Sequence, residues 1–236
     1  MRGGEAKVLA NFERLRQASV STGILTTINA QNYQHFDKIC AFLHQEIGIR
    51  TFKANVVTPV GTGYTMDALE AEQIFQAQHA ILEYMLATAG KGLIETNLMR
   101  EIKLYFATDA ERFRQPETLC NEKRCGAGKA VLGVTPQGDL LPCGRFAWNE
   151  HAYFLGNLKD ENNALAYQSN VNKFHALVPQ NWYDCDTCEA KRICGFGCQA
   201  FIVRSRSRAN VDCLPTKMRY AYYEANKLRL AQAYHL

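Results

Sequence analysis

Eight of the nine cysteines fall between Cys120 and Cys213, in the order C-x4-C-x17-C-x41-C-x2-C-x5-C-x3-C-x14-C, and the first 119 residues hold only Cys40. Thiols gathered this densely either bridge one another or bind something, and each choice restricts the fold that can carry them. Eight thiolates are what two four-cysteine iron–sulfur centres need, and the CDTC and CGFGC runs at 185–188 and 194–198 can wrap a small inorganic core with little strain. Disulfides fit poorly. No apolar targeting segment follows Met1, and the chain is too large and core-rich for a small stapled domain. Structural zinc competes, because C-x2-C followed by further cysteines also reads as a tetrahedral site; zinc ribbons, however, pair two short C-x2-C knuckles, and only one is present. Cys40 stands apart in a helical apolar stripe of Phe36, Ile39, Cys40, Leu43 and Ile47, where a cysteine packs as a small hydrophobe.

With 236 residues and 47% hydrophobic content, the chain can bury one large core or two small ones. No stretch approaches the roughly twenty apolar residues of a membrane span. The formal charge of +4 counts every cysteine as neutral, and two oxidised four-thiolate clusters would bring it to about zero. Nucleic acid is therefore not implied, and Arg204, Arg206 and Arg208 read as a solvated face. Oxygen-sensitive clusters and unpaired thiols both suit a reducing cytoplasm.

Two textures divide the chain. In the first half, apolar spacing predicts a helix over 5–18, a strand in SVSTGILTTIN, a helix over about 32–46, a strand TFKANVV at 51–57, and a helix from Asp67 to about Ala89. Such alternation implies an α/β arrangement with right-handed crossovers and a parallel sheet buried on both faces. Two strands cannot make one, so more strands are expected beside them. From about residue 117 the texture turns to glycine, cysteine and short apolar pieces. AVLGVTPQGDLLPC reads as a β-hairpin: a strand at 130–134, a turn at Pro136 to Asp139, and a return that delivers Cys143. Helices are expected over 163–177 and from Pro215 to about Ala233.

Taken from Cys125, the pattern is C-x12-G-x4-C, then C-x2-C-x5-C-x3-C, then C, with Gly138 as the glycine, over about 90 residues. It closely resembles the SPASM domain that extends radical S-adenosylmethionine enzymes modifying peptides or proteins, among them sulfatase maturases and the crosslinking maturases of ribosomally made peptides. Upstream, AKVLANFERLRQASVSTGILTTINAQN and TFKANVVTPVG are similar to the late part of the radical enzyme's partial (β/α)6 barrel, with its fifth and sixth strands. The resemblance thus implies a late barrel portion over 1–116 and a cysteine-rich α+β SPASM domain over 117–236. Met1 would then fall inside the fourth barrel helix.

Residue by residue, the resemblance implies that Cys120, Cys125, Cys143 and Cys198 hold one auxiliary [4Fe–4S] cluster and that Cys185, Cys188, Cys194 and Cys213 hold the other. Cys194 and Cys198 would go to different clusters and so staple the two sites together. Thr26, Thr27 and Asn29 end the presumed fifth strand, and Asn55 to Val57 the sixth; Thr27, Asn29 and Val57 are candidates for cofactor contact, with strand-end hydrogen bonding as the rival role. Arg145, Phe146 and Trp148 could line a peptide groove or shield a cluster with apolar surface. His44 and His79 read as solvated or core-edge residues.

Two departures from the family matter. The C-x3-C-x2-C loop at which these enzymes split S-adenosylmethionine does not occur in the sequence, so the chain alone is expected not to make the radical. Sulfatase maturases place an aspartate base after a cluster cysteine, where this chain has Gly144, which leaves the general base unassigned. The expected function is the C-terminal portion of a radical S-adenosylmethionine peptide or protein maturase. The alternatives are an electron-transfer or peptide-presenting module working in trans with a separate radical half, and a zinc-stabilised binding domain or gene remnant.

Overall fold

The computed structural model describes residues 4–57, 68–108, 125–146, 151–160, 163–176, 187–194, 200 and 213–236. Packing divides the chain into two units, one of Met1–Val57, Asp67–Lys103 and Tyr223–Leu236, the other of Thr58–Met66 and Leu104–Tyr222. The expected division between 116 and 117 lies outside the described residues. Tyr223–Leu236, expected in the second region, groups with the first unit.

Three parallel strands, β1 (Ile24–Ile28), β2 (Thr51–Val56) and β3 (Ile94–Glu95), form the sheet of the first unit in the order β1-β2-β3. Ile24 pairs with Phe52 and Ile28 with Val56. The Val57 N–H then extends the ladder to the Ile28 carbonyl at 2.8 Å. Ile28 and Phe52 are buried, whereas Leu25, Thr27, Thr51 and Lys53 are exposed. The expectation of burial on both faces is therefore corrected. Alternation sends these four side chains to one side, where polar Thr27, Thr51 and Lys53 tolerate water, and only the other side joins the core.

The helices of this unit follow apolar periodicity. They begin with α1 (Glu5–Gln17) and a 3-10 turn (Tyr33–His35), then α2 (Phe36–Ala41) running into a π turn (Phe42–Glu46). The expected continuous helix over 32–46 is thus three geometries in succession, and the Ile47 N–H reaches back to the Phe42 carbonyl at 3.0 Å. Next comes α3 (Ala71–Ala87), later than the expected start at Asp67 because the Glu70 N–H bonds Gln73 Oε1 at 2.9 Å and closes a capping box there. α2 packs on α3, and buried Phe36, Cys40 and Leu43 join Ile74, Ala77, Ile81 and Leu82 in the core. The phenylalanine, leucine and isoleucine side chains among them contribute roughly 1.5–3 kcal/mol each on burial.

A helix absent from the sequence reading, α4 (Thr96–Phe106), follows β3 directly. Leu98, Ile102 and Tyr105 recur at i, i+4 and i+7 and are all buried, so the stripe was present in the sequence. Glu95 starts this helix: its carboxylate accepts the Leu98 N–H at 2.6 Å and the Ala54 N–H of β2 at 2.9 Å. One buried side chain therefore joins a helix N-terminus to the sheet where the β2–β3 ladder ends.

The second unit holds an antiparallel sheet of β4 (Gly133–Val134), β5 (Asp139–Leu141) and β6 (Gly156–Asn157), in that order. The expected hairpin is its first two strands, but the first starts at Gly133 rather than 130, since Gly126 to Val131 coil into a turn. Pro136 sits second in the connecting turn, Gly138 takes φ +92° and donates to the Thr135 carbonyl at 2.9 Å, and only glycine adopts that backbone cheaply. α5 (Asn163–Ala176) lies within the expected 163–177. The last expected helix is two, α6 (Cys213–Ala225) and α7 (Lys227–Tyr234), broken at Asn226, whose φ of −114° is non-helical. Pro215 falls in the first turn of α6, where its missing N–H is harmless. Among the described residues no helix is long and apolar enough to cross a membrane.

Candidate metal centre

Cys125 opens a tight turn whose backbone is closely tied. The Gly126 carbonyl accepts N–H groups from Lys129, Ala130 and Val131 at 3.0, 2.8 and 2.9 Å. Gly128, at φ +70°, donates to the Val131 carbonyl at 2.9 Å and to the Pro142 carbonyl at 2.7 Å. The second bond reaches the residue before Cys143, so the turn carrying one cysteine is fastened to the strand end carrying the other. A Cβ at Gly128 would stand 3.1 Å from both Leu155 and Val171, and no side chain fits there without displacement.

Cys125 and Cys143 pack against one core of Ala127, Leu140, Leu141, Phe146, Leu155, Val171, Phe174 and Ala200. Phe146, 5% exposed, meets Tyr153 at 5.0 Å and Phe174 at 5.4 Å between ring centroids, so it belongs to the apolar backing of the two cysteines. Trp148 lies outside the described residues. Gly144 is exposed, with no atom within 4 Å of where a Cβ would stand, and it offers no base.

Cys188 and Cys194 flank a 3-10 turn, Glu189–Arg192. The Lys191 N–H donates to the Cys188 carbonyl at 3.0 Å, and the Cys194 N–H to the Ala190 carbonyl at 2.9 Å. Buried Ala190 and Ile193 anchor this turn, and Cys213 is the first residue of α6. Cys125, Cys143, Cys188, Cys194 and Cys213 are all half-buried. Cys120, Cys185 and Cys198 lie outside the described residues, as do Arg204, Arg206 and Arg208. Among the described residues no three His, Cys, Asp or Glu side chains converge to hold a metal ion, so Cys188, Cys194 and Cys213 do not meet as a ready-made triad.

Cys40 is fully buried, and burial, with smaller repulsion from Asp37 and Glu95, pushes its thiol up to about 12. It is a packing residue. At the carboxyl ends of β1 and β2, the Thr27 carbonyl accepts Asn32 Nδ2 at 2.8 Å, and Asn29 exchanges bonds with Asn32 Oδ1 and the Gln31 N–H at 2.9 Å each. Thr27 opposite Asn55, Asn29 and Val57 thus share one end of the sheet. The bonds described for Asn29 and Val57 serve the turn and the ladder, while the Thr27 side chain is exposed. His44 bonds Tyr84 at 3.1 Å, and exposed His79 lies 3.9 Å from Glu83.

Sequence reasoning missed Glu95, which is 1% exposed. Burial raises its pKa above the ordinary 4.5, opposed by N–H groups of Leu98, Ala54 and Asn97 and reinforced by Glu101. It also missed Tyr167 and His175 on α5, which bond carbonyls of the Cys125 turn.

No family model matches the chain, and no solved structure matches it. An uncharacterised protein of Archaeoglobus fulgidus is 26% identical over 190 residues, which cover 77% of this chain and 42% of that protein. The chain therefore spans less than half the length of that relative.

Proposed function

We propose that the chain is the C-terminal portion of a radical S-adenosylmethionine/SPASM maturase acting on a peptide or protein in a reducing cytoplasm. Cys120, Cys125, Cys143 and Cys198 hold one [4Fe–4S] cluster in this reading, and Cys185, Cys188, Cys194 and Cys213 the other. The observation that carries it is the eight-cysteine spacing. The fastening of the Cys125 turn to Pro142 supports the first set, because tying a ligand-bearing turn to the strand end that carries a second ligand lowers the cost of ordering both. The second set receives less support, since its three described members do not converge. Bound clusters of this kind exchange single electrons. The polypeptide's part is to close each site with thiolates and to back the first with the Phe146, Tyr153 and Phe174 rings. Anaerobic reconstitution with iron and sulfide is expected to yield a brown protein with about eight iron and eight acid-labile sulfides per chain. A colourless protein holding stoichiometric zinc would overturn this assignment in favour of a zinc-stabilised domain.

The second reading is a module that works in trans with a separate radical half, and the edge of the first sheet accommodates it. Among the described residues β1 is the edge of a parallel sheet, with Leu25 66% exposed, and α1 before it exposes Val8 at 66% and Leu15 at 43%. Parallel strands ordinarily have neighbours and cover on both sides, and an apolar unpaired edge is a template for another strand. A polypeptide continuing the sheet would satisfy both. With S-adenosylmethionine and a strong reductant, the chain alone should yield no 5′-deoxyadenosine, while addition of a polypeptide carrying the C-x3-C-x2-C half should restore cleavage. Cleavage by the chain alone would mean that one cluster has an open iron, and no gain on addition would remove the in-trans reading.

A further inference from the structure

α5 presents one face to the turn after Cys125. The Tyr167 hydroxyl donates to the Gly128 carbonyl at 2.6 Å, and two turns later His175 Nε2 meets the Ala127 carbonyl at 2.9 Å. A carbonyl only accepts, so Nε2 carries the hydrogen. Between them Asn170 Nδ2 donates to the Leu155 carbonyl at 3.2 Å, and Val171 and Phe174 enter the core under the two cysteines. Residues 167, 170, 171, 174 and 175 fall on one side of a helix by their spacing. Two successive peptide units of the Cys125 turn are thus gripped from α5, and the first, Ala127–Gly128, also donates its N–H to the carbonyl of Pro142 beside Cys143.

We propose that Tyr167 and His175 are positioning residues that hold Cys125 in register with Cys143 for metal binding. The proposal rests on the reading of these cysteines as ligands. Groups that orient ligands without touching the metal typically change metal affinity 10–100-fold. Without the two bonds, the glycine-rich turn loses the hydrogen bonds described from α5, and more of the ordering of Cys125 falls at the moment of binding.

The test compares iron release to a chelator from the reconstituted full chain and its variants. Tyr167→Phe and His175→Ala should each release the iron of the first set about 10-fold faster, with the second set unchanged. His175→Gln, which keeps an N–H donor, should recover most of the wild-type rate. In the metal-free chain the same two substitutions should speed alkylation of Cys125 and Cys143 but not of Cys188 and Cys194, a readout available even if a variant loads poorly. Wild-type rates in both variants would overturn the proposal and leave the ligand reading standing. Equal acceleration from both sets would make the residues merely structural, and a wild-type chain that takes up no metal would remove both claims.

Discussion

Replacing Cys143 by serine should lower the iron of the reconstituted chain from about eight to about four, with one cluster lost and the other retained. A serine hydroxyl ionises far less readily than a thiol and is a harder donor, so it holds cluster iron more weakly than a thiolate. The substitution leaves the surrounding packing in place: Cys143 is only half-buried, and its backing of Leu141, Phe146 and Phe174 is untouched. Cys198→Ser should remove the same cluster and Cys213→Ser the other, because the proposed ligand sets cross between Cys194 and Cys198. Cys40→Ala should keep all the iron, since that thiol lies in the core of the first unit with its pKa pushed up to about 12. Iron and sulfide analysis, paired with the electron paramagnetic resonance of the reduced protein, separates these cases. Loss of all iron from Cys143→Ser, or loss of the same cluster from Cys198→Ser and Cys213→Ser, would refute the division into two sets.

A second large effect is expected at Glu95. Its carboxylate is 1% exposed and accepts backbone N–H groups from Ala54 and Leu98 at 2.9 and 2.6 Å. Glu95→Ala strands these donors out of water, at about 1–3 kcal/mol each, and removes the desolvation cost of a buried carboxyl, for a net loss on the order of 3 kcal/mol. Glu95→Gln keeps the shape and one acceptor but turns an amide NH2 toward the other donor, and should cost about 1–3 kcal/mol. The pH dependence has a definite sign. Burial raises the Glu95 pKa above 4.5, so the contribution of this carboxyl is fully present below that value and is lost as pH rises through the folded-state pKa. Wild type should therefore exceed Glu95→Gln in stability most at about pH 4 and by less toward neutrality. Urea unfolding of both proteins across that range measures the gap, and a gap that widens with pH would show that the three N–H groups outweigh burial.

Much of the architecture could be read from residue order because local patterns carried it. Alternation in ILTTI and TFKANV, the stripe of Phe36, Cys40 and Leu43, and the Pro136–Gly138 turn each encode their geometry within a few residues. The stripe of Leu98, Ile102 and Tyr105 encodes α4 in the same local way. By contrast, β3 is two residues long and has no period of its own; it exists because β2 offers it a parallel edge. Burial of the sheet on a single face was also hidden, since it depends on which helices settle against which side.

The same distinction holds at the candidate site. The spacing of eight cysteines is a property of the chain, and by itself it determined that eight of the nine thiols lie within residues 120–213. What ties down the turn after Cys125 is decided elsewhere: Tyr167 lies 39 residues beyond Gly128, His175 lies 48 beyond Ala127, and no local period links such positions. Glu95 follows the same logic, because 41 residues separate it from Ala54. A thiol's capacity to bind metal is intrinsic to its sulfur, whereas the preorganisation of two thiols and the burial of a carboxylate arise only when segments distant in sequence pack together and leave each other's backbone groups no water to bond.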